Sequence, residues 1–150
     1  MLAATIDAGS NTLRLLLGRV VDGRVSPAHY HRRICRLAGN FSPRTGLSAE
    51  ARERALCAFR EFADLCRRDH VQRIRAVGTE AFCQLVNGEV FVLLVREMTG
   101  LQIEIISGEA EAVYTARGVV SALEPIPAHT LVFDIGGGST EFILCFDGKV

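Results

Sequence analysis

Two stretches of this 150-residue chain follow one design. Residues 5–25 read TIDAGSNTLRLLLGRVVDGRV, and residues 132–150 read VFDIGGGSTEFILCFDGKV. Each runs as an apolar strand, Asp, an apolar residue, Gly, a turn of small residues and a second apolar strand. Each then closes with Asp-Gly, a basic residue and Val. Asp7 matches Asp134, Gly9 matches Gly136 and Thr12 matches Ser139. Two unrelated hairpins can converge on apolar strands and Asp-Gly turns. The shared Asp-x-Gly entry is harder to reach that way and points to a duplicated strand–turn–strand unit. The expectation is one lobe in residues 1–123. Residues 124–150 then form a linker, marked by Pro125 and Pro127, and the first hairpin of a truncated second lobe.

Composition narrows the class. Apolar residues make up 49% and charged residues 23%, as in a soluble globular domain. No apolar run reaches the ~18 residues that a membrane span needs. The stretch from Met1 meets Asp7 too early for a signal peptide, so the cytoplasm is the expected location. Five scattered cysteines with no C-x-x-C pair argue against both a disulfide framework and a zinc site. The formal charge is zero but polarised. Residues 1–75 hold 14 arginines against seven acidic residues, whereas residues 76–150 hold three basic residues against ten acidic ones. Neutrality overall does not suit non-specific binding to duplex nucleic acid. Sixteen arginines to one lysine suit bidentate phosphate contacts, although a biased nucleotide composition gives the same skew.

Periodicity predicts strands at Leu2–Ile6, Thr12–Val21 and Arg24–Leu37, the last two joined by Asp22-Gly23. Residues 38–47 read as a loop. Ser48 caps a helix over Ala49–Arg68, whose Ala55, Phe59, Phe62, Ala63 and Cys66 recur at helical spacing. A strand at Ile74–Val77 follows, then helix over Glu80–Val86 and Gly88–Met98, a strand at Ile103–Ile106 and a helix at Gly108–Ala122. Strands at Leu131–Phe133 and Thr140–Phe146 complete the order. Three strands without intervening helices, followed by α-β-α-β-α, predict an α/β, ribonuclease-H-like lobe with a mixed five-stranded sheet and flanking helices.

The glycine turns suggest a ligand. Glycine lets backbone N–H groups converge on an anion, and Ser and Thr add hydroxyl donors. Asp7 and Asp134 at the strand ends would repel phosphate unless they hold a cation, which suggests Mg²⁺. Neither loop has the lysine or the spacing of a P-loop. Ser107-Gly108-Glu109-Ala110-Glu111 lies where a strand passes into a helix. A carboxylate there can orient an attacking water, or can simply complement the helix dipole.

The set IDAGSNT, VGTEA, VREMTGLQIEIISGEAEA and FDIGGGSTEF resembles the exopolyphosphatase / guanosine pentaphosphate phosphohydrolase (Ppx/GppA) family. That family belongs to the actin, sugar-kinase and heat-shock-protein-70 superfamily of two ribonuclease-H-like lobes around a cleft. The resemblance implies Mg²⁺-dependent release of terminal phosphate from polyphosphate or pppGpp. It implies a first phosphate loop at Gly9, Ser10, Asn11 and Thr12, headed by Asp7. The second comprises Gly136, Gly137, Gly138, Ser139 and Thr140, headed by Asp134. Glu141 matches an acidic metal-site partner, Glu111 the general base, and Arg36 a basic residue that meets the anionic chain. Rival readings are a phosphate-chain or nucleotide-binding module without turnover and an ATP-dependent phosphotransferase of the same superfamily. The 150-residue chain is expected to fold without hydrolysing, and its open hairpin edges can pair with a second copy as a homodimer.

Two family arginines are absent. Cys83 stands four positions beyond Thr79, and Val113 follows Glu111-Ala112. Each lost charge-assisted contact costs roughly 1.5–3 kcal/mol. Cys83→Arg is therefore expected to tighten polyphosphate binding by up to about tenfold, read by titration calorimetry. Unchanged affinity would mean that position 83 does not face the phosphate.

Overall fold

A computed structural model describes residues 1–37, 46–79, 87–136 and 140–150. Its elements are β1 (Leu2–Ala8), β2 (Thr12–Val21), β3 (Arg24–Ile34), α1 (Ala49–Arg68), β4 (Arg73–Gly78), α2 (Gly88–Thr99), β5 (Ile103–Ile105), α3 (Gly108–Val120), β6 (His129–Ile135) and β7 (Thr140–Phe146). The helix expected at Glu80–Val86 and the loop expected at 38–45 lie outside the described residues.

Strand alternation builds the main sheet. In β1, Ala4, Ile6 and Ala8 point to one face and are buried; Leu13, Leu15 and Leu17 do the same in β2. Asp7 and Arg14 therefore emerge on the other face. The strand order is β3-β2-β1-β4-β5, antiparallel from β3 to β1 and parallel from β1 through β4 to β5. This is the mixed five-stranded sheet that the helix-free first three strands called for. β3 lies at an edge and is largely exposed; its Pro27, histidines and arginines discourage pairing with another chain.

The core fills the face away from Asp7. Ser48 Oγ accepts the Ala51 N–H at 3.2 Å and starts α1, which buries Ala55, Phe59, Phe62, Ala63 and Cys66. Phe59 meets Phe91 of α2 with ring centroids 6.4 Å apart. Gly100, at φ +77, ends α2 in the left-handed conformation open to glycine.

β6 and β7 form a separate two-stranded sheet. Val132, Ile143 and Cys145 pack on Ala112, Ala116 and Val120 of α3, making a second, smaller apolar cluster. The two Asp-Gly turns of the repeat have one conformation: φ is 49° and 76° at Asp22-Gly23, and 49° and 75° at Asp147-Gly148.

Some boundaries differ from the expected ones. β1 runs on to Ala8 and β6 to Ile135, so Asp7 and Asp134 are strand residues with fixed cross-strand partners. β3 stops at Ile34 instead of Leu37, because the N–H groups of Cys35 and Arg36 both turn to the Asn11 carbonyl and Arg36 adopts φ 49°. Phe59 is fully buried, and Phe59→Ala is expected to cost about 3–5 kcal/mol of unfolding free energy, measured by urea denaturation. A loss under about 1 kcal/mol would show that α1 repacks.

Candidate active site

A cleft of about 690 Å³ opens between the outer face of the main sheet, α3 and the β6–β7 hairpin. The β1–β2 turn forms one wall. Its Gly9 N–H donates to the Thr12 carbonyl at 3.1 Å, and a Cβ at Gly9 would sit 3.3 Å from that oxygen. The turn is tight, and Gly9, Ser10, Asn11 and Thr12 all face the cleft. Asp134, Gly136 and Glu141 contribute from the opposite wall. Gly137, Gly138 and Ser139 lie outside the described residues, and Thr140 is exposed at the start of β7 without lining the cleft.

α3 supplies the third wall. Ser107 caps it by accepting the Ala110 N–H at 3.2 Å. Glu111 stands in its first turn, half-buried and facing the cleft. Burial raises the Glu111 carboxyl above its usual value, and the negative charges of Glu141, Asp7 and Asp134 raise it further. All four carboxylates singled out from the sequence thus share one electrostatic environment.

The duplicated register treats the two aspartates differently. Asp7 pairs across the strands with Arg14, whose Nη1 lies 2.8 Å from the Asp7 carboxylate. Asp134 occupies the equivalent place in the hairpin, but its cross-strand partner is Glu141. One aspartate is matched by a cation of the chain itself; the other faces a second carboxylate. Asp134 also accepts a hydrogen bond from the Thr115 hydroxyl at 3.2 Å.

Among the described residues, no three His, Cys, Asp or Glu side chains already close on one point as a ready metal cage. Mg²⁺ keeps several waters and takes one or two carboxylates together with substrate phosphate. The donor set that fits it is Asp134 with Glu141, since Asp7 is engaged by Arg14. Arg36 is anchored through its backbone beside the first turn, but its side chain does not line the cleft.

The sequence reading missed Arg14, Arg75, Tyr114 and Thr115, all of which line the cleft. Two signals were available. Arg14 lies between the inward Leu13 and Leu15. Tyr114, Thr115 and Gly118 fall three, four and seven residues after Glu111, on the same helix face.

A mixed five-stranded sheet of this order, with flanking helices, defines a ribonuclease-H-like α/β fold. Residues 16–150 match the Ppx/GppA phosphatase family model, and the chain belongs to that family. It is 34% identical to exopolyphosphatase 2 of Mycobacterium tuberculosis, with 94% of this chain and 47% of that protein aligned. It is 37% identical to the guanosine-5'-triphosphate,3'-diphosphate pyrophosphatase of Vibrio parahaemolyticus, over 95% of this chain and 29% of that one. A crystal structure of an exopolyphosphatase from Cytophaga hutchinsonii superimposes with a TM-score of 0.90 at 28% identity, covering 98% of this chain and 47% of the other. The chain spans about half or less of the length of these relatives. Among the described residues, no helix is long and apolar enough to cross a membrane.

The raised Glu111 carboxyl has a sign that can be tested. Its proton affinity is higher in the folded state than in the unfolded one. Between the usual value of 4.5 and the raised folded value the native state therefore binds more protons, so stability falls as pH rises through that window. Glu111→Gln should raise the melting temperature at neutral pH in metal-free buffer. The gain should fade as pH drops below 4.5, read by thermal melts across a pH series. A pH-independent difference would mean that Glu111 carries no such strain.

Proposed function

We propose that the protein is a Mg²⁺-dependent hydrolase that releases the terminal phosphate of a phosphoanhydride chain, either inorganic polyphosphate or pppGpp. The observation that carries this reading is the convergence of Glu111 with Asp7, Asp134 and Glu141 on one cleft beside a glycine turn. The family supports it, and relatives carry the names exopolyphosphatase and guanosine-5'-triphosphate,3'-diphosphate pyrophosphatase.

The roles follow from position. Backbone N–H groups and hydroxyls of Gly9, Ser10, Asn11 and Thr12 bind and orient the terminal phosphate, with Gly136 on the opposite wall. Arg14 neutralises Asp7, so this loop receives an anion without a second like charge. Asp134 and Glu141 would hold the cation, whose contribution when bound would be charge neutralisation at the phosphate oxygens. Glu111, made more basic by burial and by its acidic neighbours, takes the proton of the attacking water. Arg36 belongs to the approach of the anionic chain and not to the cleft itself.

The domain division belongs to the same proposal. Residues 1–123 form one lobe, and residues 124–150 open a second. In the repeat, the buried Ala4, Ile6, Leu15 and Leu17 correspond to Leu131, Phe133, Phe142 and Leu144. Those four are 48–67% exposed. In the first lobe α1 covers the corresponding face, so a helix of the second lobe is the cover that the duplication supplies.

A second reading has its own observation. Cys83 and Val113 stand where the family carries arginines, which favours a phosphate-binding module without turnover. One experiment separates the two. Phosphate release is followed from polyphosphate and from pppGpp with a protein that carries both lobes. Mg²⁺-dependent release that chelation abolishes is expected. Glu111→Gln should lower kcat by at least about 100-fold while leaving substrate affinity near wild type. Binding without release in the wild type would establish the module instead.

A further inference from the structure

We infer that Tyr114 and Thr115 are positioning residues: α3 is slung between the two sheets by their side chains, which set Glu111 between Asp7 on one wall and Asp134 on the other. The inference rests on the hydrolase reading for its kinetic consequence but not for its structural one.

The geometry has two ends. On the main-sheet side, Arg75 of β4 donates to the Tyr114 hydroxyl at 2.9 Å, with its guanidinium carbon 4.9 Å from the Tyr114 ring centroid. Glu104 of β5 grips the same guanidinium with two hydrogen bonds of 3.0 Å and fixes its plane. On the hairpin side, the Thr115 hydroxyl donates to Asp134 at 3.2 Å. Consecutive residues of one helix thus reach opposite walls of the cleft, and Glu111 lies one turn before them on the same face.

Among the described residues, the apolar clusters do not supply this alignment. Ala112, Ala116 and Val120 of α3 join the hairpin's cluster, which is distinct from the core beneath the main sheet. The latch through Arg75 therefore ties the unit that carries Asp134 and Glu141 to the sheet that carries Asp7. Displacements of about 1 Å at such a point are enough to cost a hundredfold in rate.

The test uses the full-length protein and two readouts. Tyr114→Phe keeps the ring but loses the hydroxyl; Thr115→Val keeps the shape but loses the donor; Arg75→Gln removes the whole latch. Each is expected to lower kcat for polyphosphate by about tenfold with KM within about twofold. Thr115→Ser should restore kcat. Amide hydrogen exchange over Glu111 to Gly118 should quicken at least about fivefold in the first three variants, with overall melting unchanged. Wild-type exchange in Tyr114→Phe and Thr115→Val overturns the inference whatever the activity. So does wild-type kcat in both. If the wild-type protein releases no phosphate at all, the hydrolase reading falls and the exchange rates alone decide on the sling.

Discussion

Carboxylates gathered in a cleft repel each other, and most of this site's features answer that repulsion. Three of them, from β1, β6 and β7, come close enough to raise the fourth, Glu111 of α3. The chain neutralises one on its own: Arg14, directly across from Asp7, forms an ion pair with it. It leaves the equivalent aspartate of the repeat, Asp134, facing Glu141. That difference at one register position breaks the symmetry of a duplicated hairpin. One aspartate has a cationic partner within the chain, and the other faces a second carboxylate.

The asymmetry depends on where the strands end. Had Asp7 and Asp134 been turn residues, no cross-strand partner would be fixed for either. Both lie inside strands, where period-two alternation puts Asp7 on the face opposite the buried Ile6 and Ala8, and Asp134 on the same face as Val132, toward α3. The same alternation that buries Ile6 and Leu15 aims Asp7 and Arg14 into the cleft. Core and site are therefore one pattern read on two faces, and a one-residue slip in β1 would exchange them.

This explains what was legible in the sequence. The Asp-x-Gly repeat, the Asp-Gly turns, α1 from its cap to Arg68 and the mixed sheet follow from local chemistry, and the sheet and the described helices stand where those signals put them. Asp7, Asp134, Glu111 and Glu141 could be named because carboxylates at strand ends and in a first helical turn are unusual enough to notice. Arg14, Arg75, Tyr114 and Thr115 were not, because an outward arginine in a strand is ordinary until the opposite wall is known. Arg36 was named from its motif, and its side chain does not line the cleft. Its motif is local, but its left-handed backbone and the two hydrogen bonds to Asn11 are decided by where the first turn sits.

The weakness of the contacts between the two walls is itself informative. A continuous apolar seam would lock the cleft at one width, since packed interiors are not continuously deformable. Here the walls have separate apolar clusters. The Arg75–Glu104 pair is about half exposed on each side. Such pairs contribute no more than about 1 kcal/mol to stability. The latch therefore adds little to folding, and what it supplies is direction: a planar guanidinium held by two hydrogen bonds aims the Tyr114 hydroxyl, and with it the helix. A cleft whose walls are oriented by polar contacts, and not fused by packing among the described residues, can change its width without disturbing either core.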